Sequence, residues 1–181
     1  MSAIQMLLME LDHEARATRR VLERVPGDRL NYRPHEKSMS LGQLALHVAI
    51  VPGALAQLSR KSPVQVFEFK QPSPQTAAEL LPALDQSLAQ AHDVLGAMDD
   101  ASLAEQWRLV DGDREVMSQP VGIMLRALML NHWYHHRSAV RLSAGSGRSG
   151  AVGVRPERGR EPVRGRAADG GRRSLSLLRG T

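Results

Sequence analysis

Apolar residues recur along this chain at helical spacing in four separated blocks. From residue 3 to residue 25, Ile4, Leu7, Leu8, Leu11, Ala15, Leu22 and Val25 return every three or four positions or a multiple of them, and Pro26-Gly27 stops the run. A polar loop follows through Asn31-Tyr32-Arg33-Pro34-His35-Glu36-Lys37. Ser40 then opens a second helix, with Gln43 at the position that completes a capping box. Its apolar face is Leu41, Leu44, Ala45, Val48 and Val51, with His47 set between Leu44 and Val51. Pro52 and Gly53 perturb this helix without ending it, because Leu55 and Leu58 continue the pattern.

Lys61 to Pro74 carries three prolines and a β-leaning stretch, Val64 to Phe69, and reads as a connecting loop. Thr76 with Glu79 forms another capping box and starts a third helix through Leu80, Leu84, Leu88, Ala91, Leu95 and Met98. Pro82 lies early in that run, which could move the true start one turn later. A polar link around Trp107 to Gln119 leads to a fourth helix, Pro120 to about Leu142, on which Leu125, Leu128, Met129, His132 and His136 share a face. No internal repeat is visible. The pattern predicts an all-α fold over residues 1–143, an up-down-up-down four-helix bundle.

Residues 144–181 are different material. From residue 137 onward the chain holds nine of its fifteen glycines and no apolar period. Such composition buries too little surface to offset the entropy of ordering, so a disordered tail is expected. The tail also accounts for the charge. The 181-residue chain carries net +5, but from Arg137 on there are eleven Arg against three acids, Glu157, Glu161 and Asp169. The preceding part has thirteen Lys and Arg against sixteen acids and is mildly acidic. The basic tail lacks the aromatic interleaving that stacks on bases, so a solvated segment is expected ahead of a nucleic-acid site.

Other function classes fall away on composition. There is no cysteine, which excludes disulfides, thiolate metal sites and cysteine nucleophiles. No Gly-x-Ser-x-Gly turn is present, and no phosphate-cradling glycine pattern before the tail. The apolar runs read as too short to span a bilayer, and residues 1–15 carry Glu10, Asp12 and Glu14 with no basic n-region. A cytoplasmic protein without a membrane partner is expected.

The candidate chemistry lies in the histidines. His132 and His136 are four apart, so a helix presents both from one face. His47 interrupts the apolar face of a helix that can pack against theirs. Three imidazoles from two helices can hold a divalent metal and leave a coordination position open. The alternative is a set of core or rim histidines bonded to carbonyls and water. His135 points roughly 100° away from His136 and fits a supporting or exposed position. His13 and His92 lie on polar faces and read as solvated, and His35 sits in a loop without ligand spacing.

Two stretches carry a resemblance. Leu30-Asn31-Tyr32-Arg33-Pro34-His35-Glu36-Lys37-Ser38-Met39-Ser40-Leu41-Gly42-Gln43-Leu44-Ala45-Leu46-His47-Val48-Ala49 with Pro52, and Asn131-His132-Trp133-Tyr134-His135-His136-Arg137, resemble the DinB/YfiT-like metalloenzymes. This is the damage-inducible four-helix family, unrelated to the polymerase that shares its name. The resemblance runs from about Leu11 to Arg137. It implies a bundle with a three-histidine metal site, carried over to His47, His132 and His136, holding zinc or nickel, often in a homodimer. Characterised relatives include thiol S-transferases using bacillithiol or mycothiol, and metal-dependent isomerases and hydrolases. The expectation is therefore a metal-dependent hydrolase or thiol S-transferase acting on a small molecule or low-molecular-weight thiol, with no identifiable general base. The competing expectation is a non-catalytic stress-response or binding module with a structural or vestigial metal.

The chain departs from the family after Arg137. Relatives continue with Gly-Gln-Leu and end near Pro-Ser-Ala-Asp-Glu, whereas here Arg137-Ser138-Ala139-Val140-Arg141-Leu142 passes into Arg/Gly-rich sequence. One back-translation of Pro156 to Val163, regrouped by one base and completed with a final pyrimidine, reads Pro-Ser-Ala-Asp-Glu-Asn-Pro-Phe. The hypothesis is that the tail is a frameshifted reading of the family C-terminus; a gene sequence incompatible with that regrouping overturns it.

Overall fold

Ser2 accepts a hydrogen bond from the Gln5 amide and Gln5 reaches back to the Ser2 N–H, a capping box that opens helix α1, Ala3–Leu22. The structure is a computed structural model that describes residues 1–67 and 71–145. Asp100 adds a second cap to α1, its carboxylate accepting from the N–H groups of Ala3 and Ile4 at 3.0 and 3.1 Å. The helix stops three residues earlier than its apolar period, yet Val25 still reaches the core from the following turn.

Helix α2, Leu41–Ser59, begins at the Ser40/Gln43 capping box and runs unbroken through Pro52 and Gly53. Packing explains why. The Gly53 N–H donates to the Ser87 Oγ at 2.8 Å, and a Cβ on Gly53 would stand 2.7 Å from the Ser87 carbonyl oxygen. Only glycine lets α2 approach α3 this closely. The Thr76/Glu79 box closes a 3-10 turn, Ala77–Glu79, from which α3, Leu80–Gly96, continues with Pro82 in its first turn.

Helix α4 has three parts. An α-helical turn, Val121–Met124, passes into a π-helical segment, Leu125–Asn131, and the α-helix resumes over His132–Gly145. Across the π segment the buried pairs Met124-Leu125 and Met129-Leu130 are five residues apart, and Leu128, expected on the inner face, is only half-buried. Helix α2 is the central member of the bundle. It packs on α3 most extensively, on α4 next, and also on α1. Among the described residues α2 is the one helix long and apolar enough to cross a bilayer, contrary to the reading of its runs as too short. Most of that surface faces its three neighbours, as a core helix requires.

The all-α expectation needs correction. Among the described residues three short strands form one sheet in the order β1-β2-β3: β1 Val64–Gln65, β2 Gln106–Asp111 and β3 Arg114–Pro120. β1 runs parallel to β2, pairing Val64 with Leu109, and β2 is antiparallel to β3. The sequence pattern reads both segments, Lys61 to Pro74 and Trp107 to Gln119, as connecting links. The signal was a hairpin: Asp111 pairs with Arg114 across Gly112-Asp113, and Gly112 adopts φ 60°. It was faint because most β2 and β3 side chains are exposed, which erases the usual alternation. Trp107 is the exception. Its ring is buried and its Nε1–H donates to the Leu58 carbonyl at 3.1 Å, fastening the sheet to the end of α2. The expected disorder of residues 144–181 and the frameshift hypothesis concern residues that, beyond Gly145, lie outside those described, as do Glu68 and Phe69 of the β-leaning stretch.

Candidate metal centre

Pro52 has no N–H, so it cannot bond the carbonyl four residues back, that of Val48. The indole Nε1–H of Trp133 takes the place of the missing donor at 2.8 Å. Trp133 is fully buried between α2 and α4. Since Val48 follows His47 and Trp133 follows His132, this bond places the two histidines side by side. The α-helix that resumes at His132 then carries His136 one turn further along the same face.

The three rings meet edge to face, with centroids 5.2 Å apart for His47 and His132, 4.8 Å for His47 and His136, and 4.3 Å for His132 and His136. One nitrogen from each lies within 4.8 Å of the others, and the Nε2 atoms of His47 and His132 are 2.9 Å apart. Three imidazole nitrogens on a tetrahedral zinc at its usual bond length would stand about 3.3 Å apart. Small side-chain rotations span that difference, so the group fits a divalent metal ion. The donor set agrees: imidazole nitrogen suits a borderline ion, and no carboxylate or thiolate belongs to the group.

Electrostatics favours the same use. Burial, then the neighbouring His132, lowers the His47 pKa to about 4 against a weaker opposing hydrogen bond from Gln71. Burial and the surrounding histidines bring His136 to about 4, and burial with His135 lowers His132. Near neutral pH all three rings are uncharged and keep a lone pair for a ligand bond. His47 is buried, while His132 and His136 are half-buried and leave one side of the group approachable.

His135 is exposed and lies edge-on to His136 at 5.2 Å, outside the trio. His92 is half-buried and not simply solvated: its Nε2 meets the Asp12 carboxylate at 2.7 Å, tying α3 to α1. His35 accepts from the Lys37 N–H within its loop. Two residues near the centre escaped the sequence. Gln71, in what read as a plain connecting loop, sets its side-chain amide 3.4 Å from the His47 Nδ1. Trp133 was visible only as part of a motif, because nothing local shows that Pro52 frees a carbonyl for it.

Tyr134 is unsuited to act as a base. Burial and its 2.7 Å hydrogen bond to Glu10 push the phenol pKa up. Despite the opposing effect of burial, Tyr134 and Arg126 hold the Glu10 carboxyl below its usual range. With the Arg137–Glu14 ion pair at 2.6 Å these contacts pin α4 to α1. A cleft of about 460 Å³ lies along that seam, lined by Arg20, Arg24, Arg137 and Arg141 among others, and includes none of the three histidines. Arg20 and Arg24 flank the C-terminal end of α1, where positive charge offsets the helix dipole.

The sequence pattern of the DinB superfamily matches residues 10–139. Among solved structures, a DinB-like protein from Bacillus cereus superposes with a TM-score of 0.61 at 21% identity, covering 82% of this chain and 95% of that one. A DinB-like protein from Bacillus subtilis gives 0.59 at 14% identity, covering 80% and 92%. At such identities the likeness is one of fold. No curated protein matches the chain.

Proposed function

The chain belongs to the DinB superfamily, and from that premise we propose that His47, His132 and His136 hold a divalent metal ion, zinc or nickel, with one coordination position left for a reactant. The observation that carries this reading is the convergence of three uncharged imidazoles from two helices on one small volume, open on one side. A metal held there supplies Lewis acidity, lowering the pKa of water or binding a thiol as thiolate. The protein's own contributions are orientation and dryness. Trp133 and Val48 fix the height of α4 against α2, and burial keeps His47 uncharged.

On this reading the protein is a metal-dependent hydrolase or thiol S-transferase acting on a small molecule. As the family resemblance implies, it works in the cytoplasm as a homodimer. The test is metal content of the purified protein beside His132→Ala, followed by turnover of low-molecular-weight thiols with electrophiles, with and without metal. Equal metal in the two proteins overturns the site.

One observation favours a second reading, a non-catalytic binding module. The group includes no carboxylate, and the Tyr134 hydroxyl is engaged by Glu10, so among the described residues no proton acceptor stands out beside the histidines. Metal binding without turnover of any thiol or ester substrate would support it.

A further inference from the structure

Gln71 reaches the centre from outside the bundle helices, with its side-chain Nε2 at 3.4 Å from the His47 Nδ1. Its other end, Oε1, is buried with no hydrogen-bond partner among the described residues. The amide therefore has one engaged end and one end that no hydrogen bond from a described residue holds in this sense. Which end faces His47 follows from where that ring carries its proton.

With the Gln71 NH2 group toward Nδ1, that nitrogen accepts and the proton of the neutral ring is on Nε2. The 2.9 Å contact between the Nε2 atoms of His47 and His132 is then a hydrogen bond from His47 to His132. In this arrangement the His47 Nε2 has no lone pair to give a metal. For it to become a ligand the proton must leave Nε2, and a neutral ring must carry one on Nδ1 instead. That N–H needs an acceptor in a buried place. The Gln71 Oε1 is the acceptor at hand once the amide turns over.

Resting on the metal reading above, we propose that Gln71 is a positioning residue that selects the His47 tautomer: amide nitrogen toward Nδ1 in the metal-free protein, amide oxygen toward Nδ1–H when His47 Nε2 binds the ion. The ring stays neutral throughout, losing one proton at Nε2 and gaining one at Nδ1. Gln71 touches neither ion nor reactant in this role and acts only through His47.

The experiment uses the whole protein, with zinc as the probe. Nitrogen-15 spectra of the histidine rings should place the His47 proton on Nε2 in the metal-free wild type. They should place it on Nδ1 in metal-free Gln71→Glu, whose carboxylate can only accept, and on Nδ1 in zinc-loaded wild type. In competition titrations Gln71→Leu should bind zinc about 10–100-fold more weakly than wild type, while Gln71→Glu restores or exceeds wild-type affinity. Thermal unfolding of the metal-free variants separates a folding defect from a loss of orientation. Unchanged zinc affinity in folded Gln71→Leu, or the same His47 protonation in Gln71→Glu as in wild type, overturns the role of Gln71 alone. Equal zinc uptake by wild type and His132→Ala overturns the metal reading, and the zinc-binding role of Gln71 with it.

Discussion

The Trp133 indole donates to the Val48 carbonyl across 2.8 Å, inside a helix whose own donor for that carbonyl is removed by Pro52. A residue that ordinarily weakens a helix here creates the attachment point for its neighbour. Val48 and Trp133 each adjoin a histidine of the centre, so the register of two helices and the spacing of two ligand candidates depend on one bond.

Trp133→Phe should therefore lower stability by about 1–3 kcal/mol, leaving a buried carbonyl unpaired. Pro52→Ala supplies that carbonyl with a backbone N–H again, so it should recover part of the loss when both changes are combined. Urea unfolding of the four proteins in a double-mutant cycle measures the coupling. Effects that simply add, within about 0.5 kcal/mol, would refute the link between Pro52 and Trp133.

Gly53→Ala tests the crossing of α2 and α3. The new Cβ would stand 2.7 Å from the Ser87 carbonyl oxygen and 3.0 Å from the Ser87 Cα, and both are backbone atoms that cannot step aside. A loss of about 1–3 kcal/mol is expected from overpacking, read as a lower urea midpoint with unchanged slope. A midpoint equal to wild type would show that the helices can part at little cost.

Acid should weaken the metal-free protein in a defined window. The unfolded chain takes up protons on His47 and His136 near pH 6.5, whereas the folded chain resists until about pH 4. Between those values the unfolded state holds more protons, so stability rises with pH and is lost as pH falls from 6.5 to about 4. His47→Asn combined with His136→Gln should flatten this slope. Equilibrium unfolding at half-unit pH steps decides it, and parallel slopes would rule the histidines out as its source.

Metal should stabilise the fold by mass action. At zinc one hundredfold above its dissociation constant the gain is about 2.7 kcal/mol, visible as a rise in Tm that a chelator reverses. His47→Ala should abolish the rise. A chelator-sensitive rise that survives in His47→Ala would mean that the ion binds elsewhere.

Much of this was legible in the residues alone. Ser40 with Gln43 and Thr76 with Glu79 mark helix starts because capping is local chemistry, and both boxes are formed. His47, His132 and His136 come together as their spacing and the apolar faces around them suggested. What escaped depends on distant partners. The strands β1 and β2 are short and lie far apart in sequence, so neither declares itself without the other. Gln71 gains meaning only from the ring it meets. The π segment leaves no mark in the apolar pattern, because Leu125, Leu128, Met129 and Leu130 satisfy a period of four as readily as one of five.

That segment makes the centre sensitive to a residue count. A helix turns about 100° with each residue, and the wider turn over Leu125–Asn131 accommodates one more residue than an α-helix would need. Deleting Ala127, which is exposed, should return the stretch to ordinary pitch and swing His132 and His136 together off their bearing on His47. Every candidate ligand would remain in the chain, yet a metal assay on the deletion variant should read as low as on His132→Ala.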